Sequence, residues 1–217
     1  MHMTTDNKSN KNMITVDRLT TGLLGVNTYI VGSEKTHECV LIDTGGDYRK
    51  IKDTLLALNY TPRAVLLTHG HFDHIGACES FQKDGLKIYI AFPDDGFTTN
   101  PRLDGFPDVS RLTKSFKCDE YVYDSETLDI VGLKIKVIAT PGHSKGSVCY
   151  LIGDFLFTGD TLFHMSIGRT DFEGGDFDEL ITSVKSKLFV LTDKKVFPGH
   201  GEFTDIDFEK ANNPYFR

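Results

Sequence analysis

Ala64-Val65-Leu66-Leu67-Thr68-His69-Gly70-His71-Phe72-Asp73-His74 runs from an unbroken apolar stretch straight into four metal-binding side chains within six residues. The apolar part reads as a buried strand that ends at Thr68, and a loop at the carboxyl end of a buried parallel strand is a common place for a site. His69 and His71 are two apart, so in an extended segment they face the same way. Asp73 and His74 follow at once, where the chain can turn and aim at a second point. A segment of this kind can serve two ions side by side, and two ions about 4 Å apart activate a water between them.

The same construction returns three times downstream. His143 lies in Thr140-Pro141-Gly142-His143-Ser144, after the strand-like Leu133–Ala139. Asp160 lies in Phe157-Thr158-Gly159-Asp160-Thr161, after Phe155-Leu156-Phe157. His200 lies in Phe197-Pro198-Gly199-His200-Gly201, after Lys195-Val196-Phe197. Each follows a short apolar run and sits beside Gly or Pro. Singly, a His in a turn is often solvated and an Asp after Gly often caps a helix. Together, five His and two Asp suit two borderline ions.

These motifs resemble the metallo-β-lactamase-fold hydrolases, and within them the short glyoxalase II-like proteins. The resemblance runs from about Ile14 to the C-terminus. It covers His69-x-His71-x-Asp73-His74, Pro141-Gly142-His143, Thr158-Gly159-Asp160, Pro198-Gly199-His200-Gly201, Gly168-Arg169-Thr170-Asp171-Phe172 and Asn213-Pro214-Tyr215-Phe216. It implies an α/β four-layer αβ/βα sandwich, two mixed sheets flanked by helices, with the site at one edge between the sheets. It further implies that His69, His71 and His143 hold a first metal, that Asp73, His74 and His200 hold a second, and that Asp160 bridges them. Asp73 and Asp160 count as the catalytic carboxylates. The implied reaction is thioester hydrolysis, S-2-hydroxyacylglutathione foremost, by attack of a metal-bridging hydroxide. Longer glyoxalase II enzymes have a C-terminal helical region that supplies much of the glutathione site. Here 17 residues follow His200, so glutathione is expected to be held otherwise, or another thiol ester is the substrate.

Lys145 and Arg169 are candidate partners for a substrate carboxylate, Arg169 by bidentate pairing. Each has a plainer alternative, Lys145 solvated beside a turn and Arg169 pairing with Asp171 to hold its loop. Asp43, in Asp43-Thr44-Gly45-Gly46-Asp47, either shapes that turn or orients a ligand His. Ser144 and Ser147 read as turn residues, with no separate His–Asp pair to activate them. The metals are two divalent ions, zinc first, with iron and manganese compatible with the same donors.

Three rivals share these residues. A persulfide dioxygenase on the same fold would hold one iron through His69, His143 and Asp160, but the intact Pro198–Gly201 turn favours two metals. A β-lactamase is disfavoured by Asp160 in place of a Cys ligand and by the polar N-terminus. A non-enzymatic binding module is disfavoured by the full set of seven ligands.

The 217 residues suit one domain with a large core, assigned to residues 13–217, with 1–12 as a flexible tail. A net charge of −7 argues against a nucleic-acid surface. It leaves room for a small thioester, since metals set the local field. No apolar run is long enough to span a membrane, and residues 1–12 lack the apolar core of a secretory signal. The four cysteines form no Cys-x-x-Cys pair and read as reduced, buried thiols, so a cytoplasmic location is expected. The irregular stretch 92–117 reads as a long loop with short helical turns, a candidate lid.

Overall fold

The computed structural model describes residues 2–6, 13–104 and 107–217. Two mixed sheets lie face to face. The first has the order β1 (His2–Asp6), β2 (Met13–Thr21), β3 (Val26–Ser33), β4 (Glu38–Ile42), β5 (Thr61–Leu66), β6 (Lys87–Ala91), β7 (Glu120–Val122). Its first four strands pair antiparallel, and β4 to β7 run parallel. The second half contributes β8 (Thr127–Ile130), β9 (Leu133–Ala139), β10 (Val148–Ile152), β11 (Phe155–Gly159), a small hairpin β12 (Leu162–Phe163) and β13 (Ser166–Ile167), then β14 (Lys195–Pro198) and β15 (Thr204–Asp205). Six of these form the second sheet in the order β15-β14-β11-β10-β9-β8.

Three apolar layers glue four structural layers together. Between the sheets, Ile14, Tyr29, Val40 and Leu66 meet Ile135, Val148, Phe157 and Phe197. On the outer face of the first sheet, Leu41, Val65 and Ile90 pack on Ile51, Leu55, Cys78 and Phe81 from the helices Tyr48–Ala57 and Cys78–Lys83. On the outer face of the second, Cys149, Leu156 and Val196 pack on Leu180, Val184 and Ile206. This is the αβ/βα sandwich that the family resemblance implies. Sandwiched β4 to β6 are apolar on both faces, as parallel strands covered on each side must be. β9, nearer the edge, alternates, with Lys134 and Lys136 exposed between buried Leu133, Ile135 and Val137.

Some boundaries differ from the sequence reading. The segment from the His/Asp motif onward holds two short helices, Phe72–Ile75 and Cys78–Lys83, rather than one. At the break Gly76 lies so close to the Gly45 carbonyl that a Cβ would collide with it. Residues 2–6, read as part of the tail, pair antiparallel with β2; residues 1 and 7–12 lie outside the described residues. The hairpin β12–β13, strand β15 and the helix Ile206–Asn212 were not evident from periodicity, being two to seven residues long. All four cysteines are buried and unpaired, and no helix among the described residues is long and apolar enough to cross a membrane.

Candidate metal centre

The carboxyl ends of β5, β9, β11 and β14 converge on one edge of the sandwich, and each delivers a piece of the site. Val148 N donates to Thr68 O at 2.8 Å, and the Tyr150 hydroxyl donates to Leu67 O at 2.8 Å, so the second sheet is stitched directly to the end of β5. The Tyr29 hydroxyl and the Asn27 side-chain amide both donate to Pro198 O, at 2.6 and 3.0 Å, which ties the His200 turn to the first sheet. Beyond Thr68 the chain leaves the sheet; His71 is extended, and the helix Phe72–Ile75 follows with Asp73 and His74 in its only turn. The local change of period aims one pair of donors one way and the next pair another.

All seven residues meet. His71 Nδ1 lies 2.9 Å from His143 Nε2, which lies 3.2 Å from His69 Nε2. On the other side, Asp73 Oδ2 lies 3.2 Å from His200 Nε2 and 3.7 Å from His74 Nε2. Asp160 stands between the groups, Oδ1 3.3 Å from His74 Nε2 and Oδ2 3.7 Å from His143 Nε2 and 3.6 Å from His200 Nε2. Gly199 permits this approach, since a Cβ there would land on Asp160 Oδ1. Each group has the donor atoms, within a few ångströms of one another, to hold a cation. Buried His74 Nε2 and Asp160 Oδ1 have no hydrogen-bond partner. Buried polar atoms without a hydrogen-bond partner are costly, and a cation held between this nitrogen and this oxygen, whether a proton or a metal ion, removes that cost.

The opposite ring nitrogens of His143 and His74 are tied down. His143 Nδ1 donates to Arg169 O at 2.7 Å and His74 Nδ1 lies 2.9 Å from Asp43 Oδ2. Each bond leaves Nε2 facing the centre. Asp43 also accepts from Thr68 N and Thr68 Oγ1, both at 2.8 Å. It therefore fills both roles left open by the sequence: it shapes its turn, from the left-handed region at φ 51°, and it orients a histidine.

Charge divides the two groups. Burial, reinforced by the charge of His74, holds His69 well below the usual imidazole range, and burial followed by the charge of His143 brings His71 to about 3. Burial also pulls His74 down, but Asp160, Asp73 and Asp43 together outweigh it and raise it well above its ordinary value. His200 is raised against burial by Asp73 and Asp160. Burial pushes Asp73 and Asp160 upward, yet His74 above all returns both below the ordinary carboxylate value.

The centre floors a cavity of about 280 Å³ walled by Leu24, Phe72, Phe163, Ile167 and Phe172. Arg169 is on its wall, paired with Asp171 through Nε–Oδ1 at 2.9 Å and Nη2–Oδ2 at 2.7 Å and stacked 4.2 Å over Phe172. Lys145 is exposed and lines a neighbouring cavity with Phe92 and Tyr123 instead. Sequence reading passed over two buried carboxylates. Asp94 accepts from Gly70 N, Gly146 N and Ser144 Oγ. Glu209 accepts from Met165 N and, with Asn213 bonded to Ser166 O, braces the β12–β13 hairpin that supplies Phe163 and Ile167 to the cavity. The terminal Asn213-Pro214 motif was the one visible signal for the second; nothing local marked the first.

Two mixed sheets with a His/Asp cluster at their shared edge define a metallo-hydrolase. The chain belongs to the Metallo-beta-lactamase superfamily, whose profile matches residues 21–200. It is 32% identical over 185 residues to the hydroxyacylglutathione hydrolase GloC of Haemophilus influenzae, covering 81% of this chain and 85% of that one. Among solved structures it is similar to the BLEG-1 B3 metallo-beta-lactamase, with TM-score 0.88, 34% identity and coverage of 93% and 99%. It is also similar to TTHA1623 in a di-iron-bound form, with TM-score 0.81, 31% identity and coverage of 92% and 99%.

Proposed function

We propose that this protein is a dinuclear metal-dependent thioesterase, with S-2-hydroxyacylglutathione as its foremost substrate. The observation that carries the reading is the pair of three-donor groups, His69/His71/His143 and Asp73/His74/His200, with Asp160 between them, within 3.7 Å of His143 and 3.3 Å of His74. In this reading His69, His71 and His143 would hold one divalent ion and Asp73, His74 and His200 the other, with Asp160 lying between the two groups. Such ions, when bound, lower the pKa of water and draw charge from a carbonyl oxygen.

The chain's own residues do the rest. Asp73 directs Oδ2 at His74 and His200 and is held as the anion, so it would bring negative charge to the ion of that half. The Ser144 hydroxyl is engaged by Asp94 and by Ser147, both at 2.7 Å, so it is no nucleophile. A thiolate leaves readily without a strong general acid, which suits a site whose wall is apolar. Arg169 offers a cation to a substrate carboxylate if it exchanges Asp171 for it. The likeness to GloC supports a thioester, and the likeness to a di-iron protein supports two metals.

The test is metal-quantified protein offered S-D-lactoylglutathione, an acyl-coenzyme A, a chromogenic β-lactam and a glutathione persulfide with oxygen uptake recorded. Thioester turnover that a chelator abolishes and added metal restores is the expected result. Turnover of the β-lactam or persulfide, with none of either thioester, overturns it.

A further inference from the structure

We propose that Asp94 is a positioning residue for the three-imidazole half of the centre, setting the distance between the His69–His71 loop and the His143 loop. The inference rests on the reading that these imidazoles hold a metal. Asp94 ends the short helical turn Phe92–Asp94 after β6 and is fully buried. It is not among the candidate metal ligands and does not line the metal cavity.

Its carboxylate is spent on the backbone beside those ligands. Oδ2 accepts from Gly70 N at 3.0 Å and from Ser144 Oγ at 2.7 Å, and Oδ1 accepts from Gly146 N at 2.7 Å. Gly70 separates His69 from His71, and Ser144 follows His143. One side chain thus grips a neighbour of all three imidazoles. The fit is close on both sides. A Cβ at Gly146 would come within 2.6 Å of the Asp94 carboxyl carbon, and a Cβ at Gly70 within 2.8 Å of the Asp94 carbonyl oxygen.

Three donors aimed at two oxygens demand a carboxylate. An amide at this position has one acceptor oxygen and must turn its NH2 toward at least one of these donors. A buried charge is retained only when paired or fully hydrogen-bonded, and here the bonds run between loops rather than within one. Asp43 holds the mixed half by touching His74 itself; Asp94 touches no imidazole and acts through the loops that carry them.

The test is zinc affinity, measured by competition with a chromogenic chelator, for the wild type and for Asp94→Asn, Asp94→Ala and Ser144→Ala. His71→Ala and His200→Ala identify which binding class belongs to which half. Asp94→Asn is expected to weaken the class lost in His71→Ala by about 10–100-fold, the usual cost of losing an outer partner of a ligand, and to leave the class lost in His200→Ala within about twofold. Ser144→Ala, which removes one of the three bonds, should shift the same class less. A general loss of stability would weaken both classes alike, and that outcome, or no change in either, overturns the assignment. If Asp94→Asn does not fold, Ser144→Ala decides by the same selectivity. A wild type that binds no zinc overturns the metal reading itself, whereas two intact classes in Asp94→Asn overturn only this inference.

Discussion

His69 and His74 are equally inaccessible, 1% and 0% exposed, with ring centroids 4.1 Å apart. They are nonetheless driven in opposite directions, His69 toward the neutral imidazole and His74 toward the cation. Desolvation acts on both and lowers both. The difference is the company: His69 faces other imidazoles, and His74 faces Asp160, Asp73 and Asp43. The centre therefore has one half in which His69 and His71 are held neutral, ready to accept a cation, and a half in which a proton on His74 occupies the place a metal would take. Burial alone does not tell which is which; the carboxylates do.

The change that should break this contrast most completely is Asp160→Asn, because Asp160 reaches both halves. Both metals are expected to be lost together on gel filtration, with thioester turnover falling by more than about 100-fold, beyond what an outer partner costs. A variant that kept two metals, by elemental analysis, and full turnover would show that Asp160 does not join the halves.

Acidification should separate the halves instead. His74 and His200 have raised values, so each must shed a proton when its nitrogen takes a metal. Metal affinity of the mixed half should therefore rise with pH, by about tenfold per pH unit for each proton released, and level off above those raised values. The three-imidazole half should change less over the same range, since His71, brought down to about 3, and His69, held well below its ordinary value, have no proton to lose. Chelator competition between about pH 6 and pH 8 reads both; equal slopes would remove the contrast.

The smallest effect is expected of Lys145→Ala. Its ammonium is outside the metal cavity and exposed, and an exposed ionic contact contributes about 1 kcal/mol at most. The Michaelis constant for an anionic thioester should rise a few-fold, more than turnover falls, with metal affinity of both halves unchanged. An unchanged constant assigns Lys145 to solvent.

Much of this centre is readable along the chain because its donors sit next to their own signals. His69 to His74 lie within one short segment, and His143, Asp160 and His200 each follow an apolar run and a Gly. Arg169 was readable in part: its pairing with Asp171, two residues away, is local, and the structure has it. Asp94 was not readable, because its three partners are 24, 50 and 52 residues distant and its own segment has no period. The broken helix at Gly76 escaped for the same reason, since at the break Ala77 N donates to the distant Thr44 O at 2.8 Å.

Residue types and their spacing suffice to place seven donors at the ends of buried strands, since alternation and turn-forming Gly and Pro are properties of neighbours in the chain. Which donors face one another, which carboxylate braces which loop, and which imidazole carries charge are properties of distance through space. Desolvation and Coulomb forces act across the packed interior without regard to chain order, and so they come into being only when the two sheets close on each other.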